Sequence, residues 1–101
     1  MKYLKNITLT EATEDTPAVT HAGLVKAVLE RPPQGGFGIV DIRKRLRILD
    51  KLNDAEDVIA FEDAEAELVQ QCVQSHRWPV IHADIVTFCD SVETMTDQRP
   101  E

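Results

Sequence analysis

The sequence predicts an α+β fold: about four helices packed with a small two-stranded antiparallel sheet, in a single domain over residues 1–96, followed by a flexible polar tail at 97–101. Three observations carry this prediction. Apolar residues recur at helical spacing in four separate segments, two short runs with strand character stand apart from them, and 101 residues with 43% apolar content suit one modest core.

The first strand is expected in residues 3–9, YLKNITL, where Tyr3, Lys5, Ile7 and Leu9 alternate with Leu4, Asn6 and Thr8. The tract EATEDTPAVT is polar and acidic, and reads as a loop ending at Thr20, a helix N-cap. The following HAGLVKAVLER sets Leu24, Val25, Val28 and Leu29 at helical spacing, until Pro32 and Pro33 end the helix.

A second helix follows the glycine-rich PPQGGFG. Its Ile39, Ile42, Leu46, Leu49 and Leu52 fall toward one side, which is expected to dock on the core, with the basic side chains largely opposite. Asp41 precedes Arg45 by four residues, the favourable order for an acid–base pair on a helix. VIAF predicts a strand at 57–61 that pairs with the N-terminal one. EDAEAELVQQCVQSH then predicts a helix over about 63–76, capped by Asp63 and carrying acids in its first turn. Arg77-Trp78-Pro79 interrupts the pattern, and Ile85, Val86, Phe88, Cys89 and Val92 mark a last helix over about 83–94. The closing TMTDQRPE is polar and reads as frayed.

The net charge of −7 argues against nonspecific binding of nucleic acid by the molecule as a whole. The charge is uneven, however. Residues 39–51 hold Arg43, Lys44, Arg45, Arg47 and Lys51 against Asp41 and Asp50, a local balance of +3 that leaves −10 for the rest. No stretch approaches the roughly 18–20 unbroken apolar residues of a membrane span, and MKYLKNITLT lacks the apolar segment of a secretory signal. The expectation is a cytoplasmic protein with no membrane contact. Cys72 and Cys89 lack framework spacing and fit reduced thiols, with a single bridge between them left open.

The glycine-rich turn invites a phosphate-binding reading. A Walker loop needs a Lys-Ser/Thr pair that is missing here, and Gly36-Phe37-Gly38 leads to Asp41, whose carboxylate would repel a pyrophosphate, where a dinucleotide fingerprint needs its third glycine. The turn therefore reads as a connection between helices. Cys72, His76, His82 and Cys89 carry zinc-type ligands, but both cysteines lie on apolar faces and no C-x2-C knuckle is present. His82 near Cys89 lacks an orienting third group for nucleophilic catalysis. Glu62, Asp63, Glu65 and Glu67 read as helix-start charges rather than a catalytic pair. Trp78 reads as a core anchor before an interface hot spot. No cofactor and no metal is expected, and the chain is read as non-catalytic.

That leaves the basic helix. Arg43, Lys44, Arg45 and Arg47 either form a solvated face balanced by neighbouring acids or contact an acidic surface on a protein partner. Nucleic acid is the lesser alternative, because no aromatic is interleaved for stacking and no helix-turn-helix spacing occurs. The stretches PPQGGFGIVDIRKRLRILDKL, VIAFEDAEAELVQQCV and RWPVIHADIVTFCDSV, which span Pro32 to Val92, resemble small proteins encoded in tailed-phage and prophage gene clusters. The resemblance implies a non-catalytic accessory protein, with a role in virion assembly, and assigns no functional residue. The function expected is therefore a protein-interaction or assembly module, with a small nucleic-acid-binding regulator using residues 39–51 as the alternative. A small enzyme or metal protein is the third class.

Overall fold

The two short apolar runs pair with each other across more than fifty residues of chain. In the computed structural model, which describes residues 1–11, 13–15, 18–32, 35–54, 57–78 and 82–98, β1 (Lys2–Lys5) lies at the start of the chain. It is followed by β2 (Thr8–Thr10), β3 (Val19–Thr20), α1 (His21–Glu30), α2 (Ile39–Asn53), β4 (Val58–Phe61), α3 (Asp63–Ser75) and α4 (Ala83–Glu93). β1 and β4 are antiparallel, with Leu4 opposite Ile59 and Lys2 opposite Phe61. Alternation along β4 turns Ile59 and Phe61 into the core and leaves Val58 and Ala60 half-covered. A two-stranded ribbon is marginal alone, and here the helices cover its apolar side. Among the described residues the architecture is thus α+β, with four helices, the expected antiparallel pair and a second small sheet.

Local signals explain most boundaries. The Thr20 hydroxyl accepts from the Gly23 N–H at 3.1 Å and starts α1. α1 ends at Glu30, and Arg31, the residue before Pro32, is extended as proline requires; Pro33 lies outside the described residues. The core gathers Val25 and Leu29 of α1, Ile48 of α2, Val69 of α3 and Phe88 of α4 around Leu4 and Phe61. Trp78 anchors beside it, half-buried, with its ring edge-on to Phe88 at 6.1 Å.

Five expectations are corrected. The strand of residues 3–9 breaks at Asn6 and Ile7, because Ile7 accepts from His21 N–H and β2 turns away to pair with β3, a second sheet that periodicity did not announce. α3 is capped by Glu62, not Asp63. The Glu62 side chain accepts from the Glu65 backbone while the Glu65 carboxylate accepts from the Glu62 N–H at 2.8 Å, a reciprocal capping box. The end of the chain is less frayed than its polarity implies: Met95 is buried, Thr96 bridges to Tyr3, and Asp97 pairs with Lys2 at 3.1 Å. Residues 99–101 lie outside the described residues. On α4, Phe88 and Val92 face inward but Val86 is 60% exposed. On α2, finally, the core takes Ile48 and Leu52, whereas Ile39 and Leu46 are exposed.

Candidate interaction surface on the second helix

The rotation of α2 about its own axis decides what this surface presents. The helix follows a turn in which Gly35 and Gly36 hold φ at +89° and +83°, the left-handed backbone that glycine adopts without strain. Ile48 and Leu52 then face the core. One turn earlier, the Arg45 Nε donates to both carboxylate oxygens of Asp41 at 3.0 Å, which realises the expected i, i+4 pair. Its Nη1 donates to the Leu29 carbonyl at 2.7 Å, and its guanidinium carbon stands 4.8 Å from the centroid of the Phe37 ring. Leu29 O belongs to the last turn of α1, where carbonyls have no partner within the helix. Arg45 supplies that partner, and in doing so holds α2 with residues 41, 45, 48 and 52 inward.

The four predicted contact residues therefore divide. Arg43, Lys44 and Arg47 are exposed, whereas the Arg45 side chain is only 12% exposed and is committed to Asp41 and Leu29. Among the described residues, Arg43, Lys44 and Arg47 form no ion pair. Lys44 and Arg47 stand on one wall of a groove of about 620 Å³ between α2 and α3, and Glu62, Glu65 and Glu67 stand on the other. Lys51 pairs with Glu65 across the same two helices. Glu65 thus balances Lys51 directly, and among the described residues the outer cations make no ion pair.

Sequence reasoning missed an apolar surface beside these cations. Ile39 is 62% exposed and Leu46 53%, and Ile42 and Leu49 on the same stripe are half-buried. The signal was present in the spacing, since 39, 42, 46, 49, 48 and 52 are too many apolar positions for one docking face.

The other candidate chemistry does not assemble. Among the described residues no three His, Cys, Asp or Glu side chains are placed to share a metal ion. Cys72 and His76 border a small cavity with Arg31 and Arg45, while His82 caps α4 by accepting from the Asp84 N–H at 3.0 Å. Cys72 and Cys89 are both free thiols. Burial pushes the Cys72 thiol up against the opposing pull of Arg45, and burial followed by Glu93 and Asp90 pushes Cys89 up as well. Neither is an activated thiolate. The glycine turn leads into Gly38 at the α2 N-cap, with the Asp41 carboxylate held in the first turn by Arg45. Among the described residues no helix is long and apolar enough to cross a membrane. Comparison of the chain with known protein families, with curated proteins and with solved structures returns no match.

Proposed function

We propose that this chain is a non-catalytic protein-interaction or assembly module that works through the outer face of α2, with Arg43, Lys44 and Arg47 as its contact cations. The observation that carries the reading is the coexistence on one helix of three exposed cations that form no ion pair among the described residues and exposed Ile39, Val40 and Leu46. Charge that is not paired internally, next to apolar surface that is not buried, has the composition of a protein-binding face rather than of a merely solvated one. Arg45 supports this face from within the molecule instead of belonging to it. An accessory role in a phage or prophage, in virion assembly, is proposed on the resemblance alone.

The test is affinity capture from a lysate of the source organism at low and at moderate salt, comparing the wild type with the triple variant Arg43→Glu, Lys44→Glu, Arg47→Glu. Recovery of a defined protein by the wild type alone supports the reading. Recovery of DNA or RNA with a steep salt dependence overturns it in favour of a nucleic-acid-binding regulator. Identical profiles for the two chains overturn it outright.

A further inference from the structure

The apolar stripe of α2 runs at a spacing of three, four and three residues through Ile39, Ile42, Leu46 and Leu49. That spacing is the a and d register of a helix-packing seam, yet this helix packs on its own core through Ile48 and Leu52 instead. At its inner edge the stripe borders a hollow of about 170 Å³ lined by Leu29, Phe37, Ile42, Leu46 and Leu49, with Arg45 and Glu30 as its polar members. The hollow is smaller than the roughly 300–1,000 Å³ of small-molecule sites, and suits one or two apolar side chains inserted from outside.

The charges beside the stripe select what inserts them. In the same register Arg43, exposed and without an ion pair among the described residues, occupies an e position beside Ile42, where a facing helix places the residues that decide partner choice, with Lys44 and Arg47 farther out on the same helix; Arg45, at g, is held by Asp41 and the Leu29 carbonyl. A second copy of this chain would bring a +3 helix against a +3 helix within molecules of −7 each, so like charges oppose self-association at both scales. A hollow accepts a protruding side chain, which a flat bilayer does not offer.

We infer that the stripe formed by Ile39, Ile42, Leu46 and Leu49 is a docking groove for an amphipathic helix of a partner protein whose flanking positions carry Asp or Glu. The inference rests on the reading of α2 as the working face and names the class of partner it takes. Apolar anchors at i, i+3 and i+7 enter beside Phe37, and the partner's carboxylates meet Arg43. The contact is smaller than a standard interface, so affinity is expected at the micromolar level or weaker.

The experiment uses the full chain, isotopically labelled, titrated with a designed 18-residue peptide that has Leu at its a and d positions and Glu at e and g. Amide shifts should concentrate at Phe37, Ile39, Ile42, Leu46 and Leu49, and Leu46→Asp should weaken binding at least tenfold. Leu46 is 53% exposed, so that variant is expected to keep the wild-type circular dichroism. Equal binding of a Lys-flanked or a scrambled peptide overturns the inference, as does no binding at all. Concentration-dependent dimerisation abolished by Leu46→Asp would overturn it in favour of a second copy, and co-sedimentation with phosphatidylserine vesicles in favour of a membrane surface. If captured protein in the lysate assay depends on Arg43, Lys44 and Arg47 but not on Leu46, this inference falls while the interaction module stands.

Discussion

α2 and α3 are neighbours of similar length, 15 and 13 residues, and both are amphipathic, but they meet the core differently. α3 buries Ala66, Val69 and Val73, three positions at the same near-heptad spacing, and among its larger apolar side chains none is strongly exposed. α2 buries only Ile48 and Leu52 while it leaves Ile39, Val40 and Leu46 more than half exposed. Apolar surface on α3 is satisfied by this chain, whereas much of that on α2 is not. The proposed interaction face rests on this difference between the two helices.

The sharpest way to break this contrast is to truncate the two sides of α2 separately. Ile48→Ala should cost about 2–5 kcal/mol, since it removes a fully buried side chain and leaves a cavity. Leu46→Ala, two residues away, should change stability by no more than about 0.5 kcal/mol. Urea unfolding of both variants measures the gap, and equal losses would mean that the stripe is already covered.

The next effect tests what holds the helix in this rotation. Arg45→Met keeps the aliphatic stem but removes the donor to Leu29 O and the partner of Asp41, and is expected to cost about 1–3 kcal/mol. Arg43→Met should be near neutral. If Arg45→Met proves equally neutral, the orientation of α2 rests on Ile48 and Leu52 alone.

A third prediction concerns the buried imidazoles. His21 is fully buried against the edge of Phe88, and among the described residues neither ring nitrogen makes a hydrogen bond of standard geometry. Burial holds its pKa below the ordinary value, with the Lys5 backbone and Asp84 pulling weakly the other way; His76 is lowered by burial and by Arg31. Below about pH 6.5 the unfolded chain therefore binds protons that the folded chain refuses. Stability should change little between about pH 6.5 and about pH 8, where the unfolded thiols begin to ionise while the buried Cys72 and Cys89 resist, and should fall below about pH 6.5 until the folded-state imidazoles themselves titrate. His21→Leu should flatten much of this fall in unfolding curves taken at successive pH values, and an unchanged fall would show that the buried imidazole does not carry it.

How much of this was legible beforehand follows from what each feature depends on. The pairing of β1 with β4, the Thr20 cap and the end of α1 before Pro32 are local or periodic, and were readable from the residues. The second sheet was not, because two residues, Val19 and Thr20, are too short to show a period. Met95 was passed over because one apolar residue in a polar tail has no period either. The surface of α2 was half legible. Its cations stood out in the sequence, but either apolar set could have faced the core, and the set that does is accompanied by a bond from Arg45 to the carbonyl of Leu29, sixteen residues away. Periodicity reports that a helix has an apolar side; only tertiary partners decide which side is used.

The smallest predicted effect returns to α3 and to the charges that face α2 across the groove. Because Glu62 rather than Asp63 caps the helix, Glu62→Ala should cost about 0.5–1 kcal/mol and Asp63→Ala less than that. Glu65 closes the capping box and also holds Lys51, so Glu65→Gln separates its two roles. The amide can still accept from the Glu62 N–H, which preserves the cap, but it no longer balances Lys51. Thermal unfolding in low and high salt then distinguishes them: a loss confined to low salt belongs to the ion pair, and a loss that persists in high salt belongs to the cap. If the low-salt loss is present, neutralising Glu65 also frees a fourth cation along α2 and should tighten the acid-flanked peptide, whereas a neutral outcome would show that the α3 carboxylates do not compete for that face.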